Sequence, residues 1–371
     1  MEIIAYYLPQ FYPFKENNEW WGEGFTEWTN VGKAKPLYCG HDQPKVPADL
    51  GYYDLRMAEV KEKQVALARE AGVTAFCYWH YWFGEGRVLL DTPLRQVLET
   101  GKPDFPFCLG WANETWMAKV WNPDGRTTGK PLMEQRYPGD DDIQAHFEYI
   151  RRAISDPRYL RIEDCPVFVV YKPLLHPQMK HFMEMFNRLI REAGIADKFF
   201  FIGHTVDSAD IETIHAIGFD AVNIVRYGEH RYNKKVIKRI PWALFKYKVL
   251  KRPLVLRYSF ISKYFIHQDT DKKDYIFPTL IPNWDHTPRS GRGGYVFHQP
   301  TPALFYRHAL QALQAIAHKK PSRQVLFVKS WNEWGEGNYM EPDLKYGKGY
   351  IQALRSALND CTFVSQRLKG D

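Results

Sequence analysis

The chain has 371 residues, a formal net charge of +7 and 16% aromatic residues, with twelve Trp and twenty-three Tyr. That length buries a large core and exceeds the small binding modules, no run of about eighteen apolar residues is present to span a bilayer, and the opening MEIIAYYLPQ lacks the features of a secretory leader. Eleven Lys and Arg with no acid fall between Arg231 and Lys263, so the remainder is net negative by four; the basic character is local, and no nucleic-acid motif accompanies it.

Eight short β-rich runs are predicted in chain order: Glu2–Leu8, Val73–Trp79, Phe105–Trp111, Val167–Tyr171, Phe199–His204, Ala221–Arg226, Thr279–Trp284 and Gln324–Trp331. Helical periodicity lies between most of them, at Met57–Ala71, Ile143–Ser155, Met179–Ala193, Leu304–Ala317 and near Tyr350–Asn359. Eight strand-helix alternations predict an α/β fold, a single (β/α)8 barrel over residues 1–371 with elaborated βα loops and a basic insertion after strand six. A doubly wound sheet would place a glycine-rich turn after the first strand, and YLPQFYP has none. Five cysteines (Cys39, Cys77, Cys108, Cys165, Cys361) without metal spacing read as reduced, which with the missing leader predicts a cytoplasmic chain.

On this assignment the tryptophans gather at strand C-terminal ends and the loops that follow, where barrels build their sites. The candidates from the first strand and its loop are Tyr7, Gln10, Glu27 and Trp28. FCYWHYW supplies His80 and Tyr81, LGWANETW supplies Trp111, Asn113, Glu114 and Trp116, and VYKP supplies Tyr171. Arg226 and Tyr227 end run six, while Trp284, Asp285 and Arg289 follow run seven. Glu114 is read as a third catalytic carboxylate or a hydroxyl ligand. Glu27 and Asp285 are read as hydroxyl ligands or loop caps, and His80 as a sugar contact or a structural histidine. An arginine at this rim would bind an acidic sugar or, more commonly, pair with a rim carboxylate. Asp140, Asp141 and Asp142 contain a D-x-D pattern, but three acids opening a helical segment are ordinary helix-start chemistry. The glycines of Ser290–Tyr295 lack the lysine and helix of a phosphate loop and are read as a lip over the cleft.

The most informative stretch is WNEWGEGNYMEPD, Trp331 to Asp343, where Glu333 and Glu336 stand between Trp331, Asn332 and Trp334. Cutting a glycosidic bond needs one carboxyl to protonate the leaving oxygen and a second to act as base or nucleophile, with flat aromatic faces holding the sugars. An extended strand would point these two glutamates apart, so Gly335 and Gly337 must supply a turn that gathers them into one cleft.

With AYYLPQFYP, EWWGEGFTEWTNV, PADLGYYDLR, FCYWHYWF, KPDFPFCLGWANETW, NWDHTPR and WNEWGEGNYMEPD in one order, the chain resembles the WbsX-type family of polysaccharide gene clusters, related to the endo-α-mannosidases of glycoside hydrolase family 99. The resemblance runs nearly end to end. It implies a (β/α)8 barrel, action on bacterial surface polysaccharide, and no metal or organic cofactor. It further implies a retaining hydrolase in which one glutamate acts as acid and the other as base on the sugar's own 2-hydroxyl; here those positions are Glu333 and Glu336. The chain departs from the family pattern after Trp116, which is less basic than expected, and at His286 and Ser290. The expected activity is an endo-acting glycoside hydrolase on O-antigen or capsular polysaccharide, with a glycosyltransferase or a non-catalytic glycan-binding barrel as alternatives. The segment Arg231–Lys263 is a candidate for peripheral contact with an anionic inner-membrane face or a lipid-linked glycan.

Overall fold

The computed structural model describes residues 1–121, 127–229 and 252–367. Eight strands form the barrel: β1 Glu2–Tyr7, β2 Ala75–Trp82, β3 Phe107–Trp111, β4 Cys165–Val170, β5 Phe200–Thr205, β6 Ala221–Ile224, β7 Ile276–Leu280 and β8 Val325–Val328. Each pairs in parallel with the next, and β1 closes the ring by pairing with β8 through Glu2↔Val325 and with β2 through Ile4↔Ala75. Strands covered on both faces read as unbroken apolar runs rather than alternating ones, as CPVFVV of β4 and VLFV of β8 do.

The longer surrounding helices are α1 Ala58–Ala71, α2 Thr92–Thr100, α3 Asp140–Ile154, α4 Met179–Glu192, α5 Ile211–Ile217, α6 Pro302–Ile316 and α7 Gly349–Arg367. Gly72 ends α1 in the left-handed region at φ +90°, and a Cβ there would lie 2.4 Å from Leu358 of α7. The acids of Asp140–Asp142 sit in the first turn of α3, with Arg151 and Arg152 in its last, the polarity the helix dipole favours.

Strand bounds shift by a few residues from the sequence expectation, with β6 ending at Ile224 and β8 at Val328. β2 continues to Trp82, and the seventh strand lies at Ile276–Leu280 rather than Thr279–Trp284, its register set by Val222↔Ile276 and Asn223↔Phe277. Pro278 is accommodated in that ladder, while Pro282 falls in the loop that follows.

Side chains alternate between the barrel interior and the helix layer. Inside, Tyr6 stacks on Trp79 at 4.5 Å and donates a 2.7 Å hydrogen bond to Asn223, whose amide donates to Thr279 at 2.8 Å. This aromatic and amide plug forms a rigid floor beneath the C-terminal mouth. Of the basic segment Arg231–Lys263, residues 231–251 lie outside the described residues; its remainder forms the strand Leu254–Arg257, paired with Tyr295–His298, and the short helix Tyr258–Ile261. No helix among the described residues is long and apolar enough to cross a membrane.

Candidate active site

Above the plug opens a cleft of about 1040 Å³, at the upper end of the roughly 300–1,000 Å³ of ordinary ligand pockets. The loop after β8 supplies its chemistry. Asn332–Glu333 pairs antiparallel with Asn338–Tyr339, and the single turn Trp334–Glu336 between them ends at Gly337, φ +52°. That hairpin sets both glutamates against one cation. Arg289 Nη1 donates to Glu336 at 2.7 Å and to Glu333 at 3.3 Å, while its Nε donates to Glu27 at 3.0 Å. Glu27 opens the short helix Glu27–Gly32, which Thr26 caps through Trp28 N–H.

Gly335 is required for space. A Cβ there would stand 1.9 Å from Glu27 Oε2 and 2.9 Å from Arg289 Nε. Gly335→Ala is therefore expected to expel Glu27 from its ion pair and cost about 2–4 kcal/mol, read as a lowered urea midpoint with unchanged slope. Unchanged stability with wild-type activity would show that the turn relaxes freely.

Two further side chains, Lys329 and His286, complete the floor. Lys329, just beyond β8, places Nζ 3.5 Å from Glu333 and 5.5 Å from the centre of the Trp284 ring. His286 Nε2 lies 3.3 Å from Glu336. The two carboxyls are displaced in opposite directions. Burial first, and then the neighbouring Glu336, raises the pKa of Glu333 against Lys329 and Arg289. Burial also penalises the Glu336 charge, but Arg289 and then His286 more than offset it and hold that carboxyl well below the usual range. Burial opposes charge on Arg289 too, and Glu27, Glu336 and Glu333 together keep it charged.

Gln10, Glu27, Tyr81, Glu114, Trp116, Tyr171, Tyr227, Trp284 and Arg289 all line this cleft together with Glu333 and Glu336. Trp284 stacks on Tyr227 at 4.9 Å, making a flat wall beside Lys329.

The other sequence candidates stand outside the cleft lining, four of them because their side chains point to the helix layer. In β2, Trp79 and Tyr81 face the cleft, so His80 and Trp82 face α3; His80 Nε2 is 2.8 Å from His146 Nε2, and burial holds its pKa down to about 3. Tyr7, neighbour of the inward Tyr6, donates to Gln64 of α1 at 2.7 Å. Trp111 packs on Phe182 of α4 and donates to the carbonyl of Trp82. Arg226 turns outward into a fully buried bidentate pair with Asp271, at 2.6 and 2.7 Å. The expectation that these four side chains meet substrate is corrected accordingly.

The remaining corrections concern groups used up by the scaffold. Asn113 bonds both peptide groups of Lys172, at 2.8 and 2.9 Å, and Asn332 does the same for Leu8, at 2.8 and 3.0 Å. A carboxamide matches a peptide's donor and acceptor, which suits it to clamp neighbouring strand ends. Asp285 accepts from His41, Gln43 and Thr287, and its backbone N–H donates to Glu336 O at 2.7 Å; it braces the catalytic loop. Trp28 donates to Tyr53 O and packs on Trp334, Trp331 is buried against Phe76, and Trp334 stacks on Tyr339 at 3.8 Å.

Lys329, His286 and Glu341 were not among the site candidates read from sequence. Lys329 shares the inward parity of Phe327, a signal available in FVKSW. Glu341 is buried and accepts from Trp334 Nε1 at 2.6 Å, Gln64 at 2.7 Å and Tyr53 at 2.9 Å. Burial pushes its carboxyl up to about 7, against the lowering effect of those donors. A raised folded-state pKa gives stability that is complete below the unfolded value of about 4.5 and is lost as pH rises through about 7. Thermal denaturation across that window is expected to show falling stability, with a shallower fall in Glu341→Gln; Glu333 contributes in the same direction. Equal slopes in the two proteins would assign the effect elsewhere.

The described residues form a closed eight-stranded parallel barrel with two paired carboxyls at its C-terminal mouth. The fold is shared with the glycoside hydrolase family 99 endo-α-mannosidase of Bacteroides thetaiotaomicron, at TM-score 0.59 and 16% identity over 98% of each chain. A glycoside hydrolase-like protein matches at TM-score 0.60 and 13% identity, over 96% of this chain and 93% of that one. The chain belongs to the family described as Glycosyltransferase WbsX, whose model matches residues 3–354. WxcX proteins from two strains of Xanthomonas campestris pv. campestris are 33% identical over 99% of this chain. The chain spans about half, 51%, of the length of these curated relatives.

Proposed function

We propose that this chain is a retaining glycoside hydrolase acting within bacterial O-antigen or capsular polysaccharide chains, with Glu333 and Glu336 as its acid and base. The observation that carries the reading is that both carboxyls bond one nitrogen of Arg289, at 3.3 and 2.7 Å, so those two oxygens lie no farther apart than the sum of the bonds, 6.0 Å. Inverting enzymes need roughly 6.5–9.5 Å to admit a water between their carboxyls, a wider gap than this one; the roughly 5–5.5 Å of enzymes whose second carboxyl attacks the sugar directly does not constrain a base that acts on the 2-hydroxyl. One carboxyl favouring its proton and one favouring its charge is the state an acid–base pair requires. Following the family resemblance, the base draws the proton from the sugar's 2-hydroxyl as the acid protonates the leaving oxygen. Water then opens the epoxide-like intermediate with net retention.

Trp116, Tyr81, Tyr171 and the Tyr227–Trp284 pair supply aromatic faces for the sugar rings, and Glu114 and Gln10 supply hydroxyl ligands. The family description names a glycosyltransferase, whereas the fold neighbours with this architecture are glycoside hydrolases. Reducing-end release from a panel of O-antigens, capsules and α-mannan, run beside nucleotide-sugar turnover, separates the two. Release without nucleotide is expected; turnover of a nucleotide sugar without release would make the chain a transferase. Contact with an anionic membrane face or a lipid-linked glycan through the basic segment is part of the same proposal, and vesicle co-sedimentation that ends in high salt tests it.

A further inference from the structure

The loop between β1 and α1 forms one wall of the cleft, and two side chains of its short helix Lys15–Trp21 take no part in the chemistry above. Asn17 lines the cleft yet is fully buried, and neither its amide nitrogen nor its carbonyl oxygen has a hydrogen-bond partner. A buried carboxamide with both ends unsatisfied bears the full desolvation penalty of each group with nothing to offset it. Trp21 stands four residues on, on the same helix face, and lines the same cleft with 41% of its surface exposed. Its indole meets Phe25 at 5.9 Å, and the adjacent Trp20 reaches Trp116 at 6.0 Å. Glu333, by contrast, is only 6% exposed, so Trp21 belongs to the rim of the cleft and Glu333 to its floor.

A sugar ring offers an apolar C–H face to an indole, and a pair of neighbouring hydroxyls to a group that can both donate and accept. We propose that Asn17 and Trp21 form an outer sugar subsite, which grips the glycan chain at a unit removed from the bond being cut. Asn17 is sealed from water in this structure, so engagement requires the short helix to shift and trades two unsatisfied groups for two hydrogen bonds to sugar. The inference rests on the glycan-cleaving reading of the cleft and deepens it: the preferred substrate is a chain of several sugars, which is what internal cleavage requires.

The test titrates oligosaccharides graded in length, prepared from the same O-antigens, capsules and α-mannan, into Glu336→Gln protein by calorimetry and tryptophan fluorescence. Affinity is expected to rise with chain length. Asn17→Leu or Trp21→Ala placed in that background is expected to weaken the longest ligands about tenfold, the scale of one lost aromatic face, and the shortest ones less. Asn17→Leu should leave the melting temperature unchanged or raised, because it replaces two unsatisfied groups with an apolar side chain of similar size. Length-dependent binding that neither variant alters would overturn the subsite while leaving the cleft reading intact. A drop in melting temperature with uniform weakening at every length would make Asn17 a structural residue. Failure of the parent protein to bind any glycan would overturn both readings.

Discussion

Glu333→Gln and Glu336→Gln are each expected to lower glycan cleavage by about a thousandfold or more while leaving the fold intact, because each removes a proton-transfer group without changing side-chain shape. The two variants should differ in how they respond to the leaving group. The variant lacking the acid recovers on an aryl glycoside whose phenol departs without protonation, and the variant lacking the base does not. This comparison orders the two roles. Both carboxyls touch Arg289, so their effects are not additive, and the double variant should be little worse than the poorer single one. Cleavage surviving both substitutions would remove the pair from the mechanism.

Arg289→Met should bring the largest loss of stability. The guanidinium contacts Glu27, Glu333 and Glu336 with only 22% of its side chain exposed. Removing one partner of a buried pair leaves uncompensated charge at a cost of about 3–5 kcal/mol. Without Arg289 the carboxyl pKa values rise, so the loss should be full at neutral pH and shrink as acid protonates the glutamates. Urea unfolding at pH 7.5 and at pH 4.5 reads this directly. An equal loss at both values would mean that Arg289 stabilises by packing alone.

Much of the fold was legible because its signals are local. Parallel strands shielded on both sides are apolar runs, and eight of them alternating with amphipathic helices leave few topologies open. The gathering of Glu333 and Glu336 was also legible, since an extended strand would send two acids three residues apart to opposite faces and the glycines between and after them allow a turn instead. What sequence reasoning missed is parity and partner. Its candidates included Tyr7, His80, Trp111 and Arg226 because they sit at strand ends, yet a one-residue step decides whether a strand-end side chain meets the cleft or the helix layer. Knowing that Tyr6 faces inward requires its stacking partner Trp79, which lies on another strand. Asn113 and Asn332 look like sugar ligands until the peptides of Lys172 and Leu8 appear beside them. Glu341 stood in the quoted motif, but nothing local reveals that three donors from separate elements converge on it.

The bond between Glu27 and Arg289 joins residues 262 positions apart, and the clamp from Asn332 to Leu8 spans 324. During synthesis the first strand and its wall emerge early and must wait for the last strand before either can dock. No partly made chain can therefore complete the cluster of Glu27, Arg289, Glu333 and Glu336, which forms only with ring closure. On the proposed reading, onset of cleavage during refolding would time the final step of assembly, and any lesion that delays β1 from meeting β8 should abolish cleavage well before it dissolves the helices.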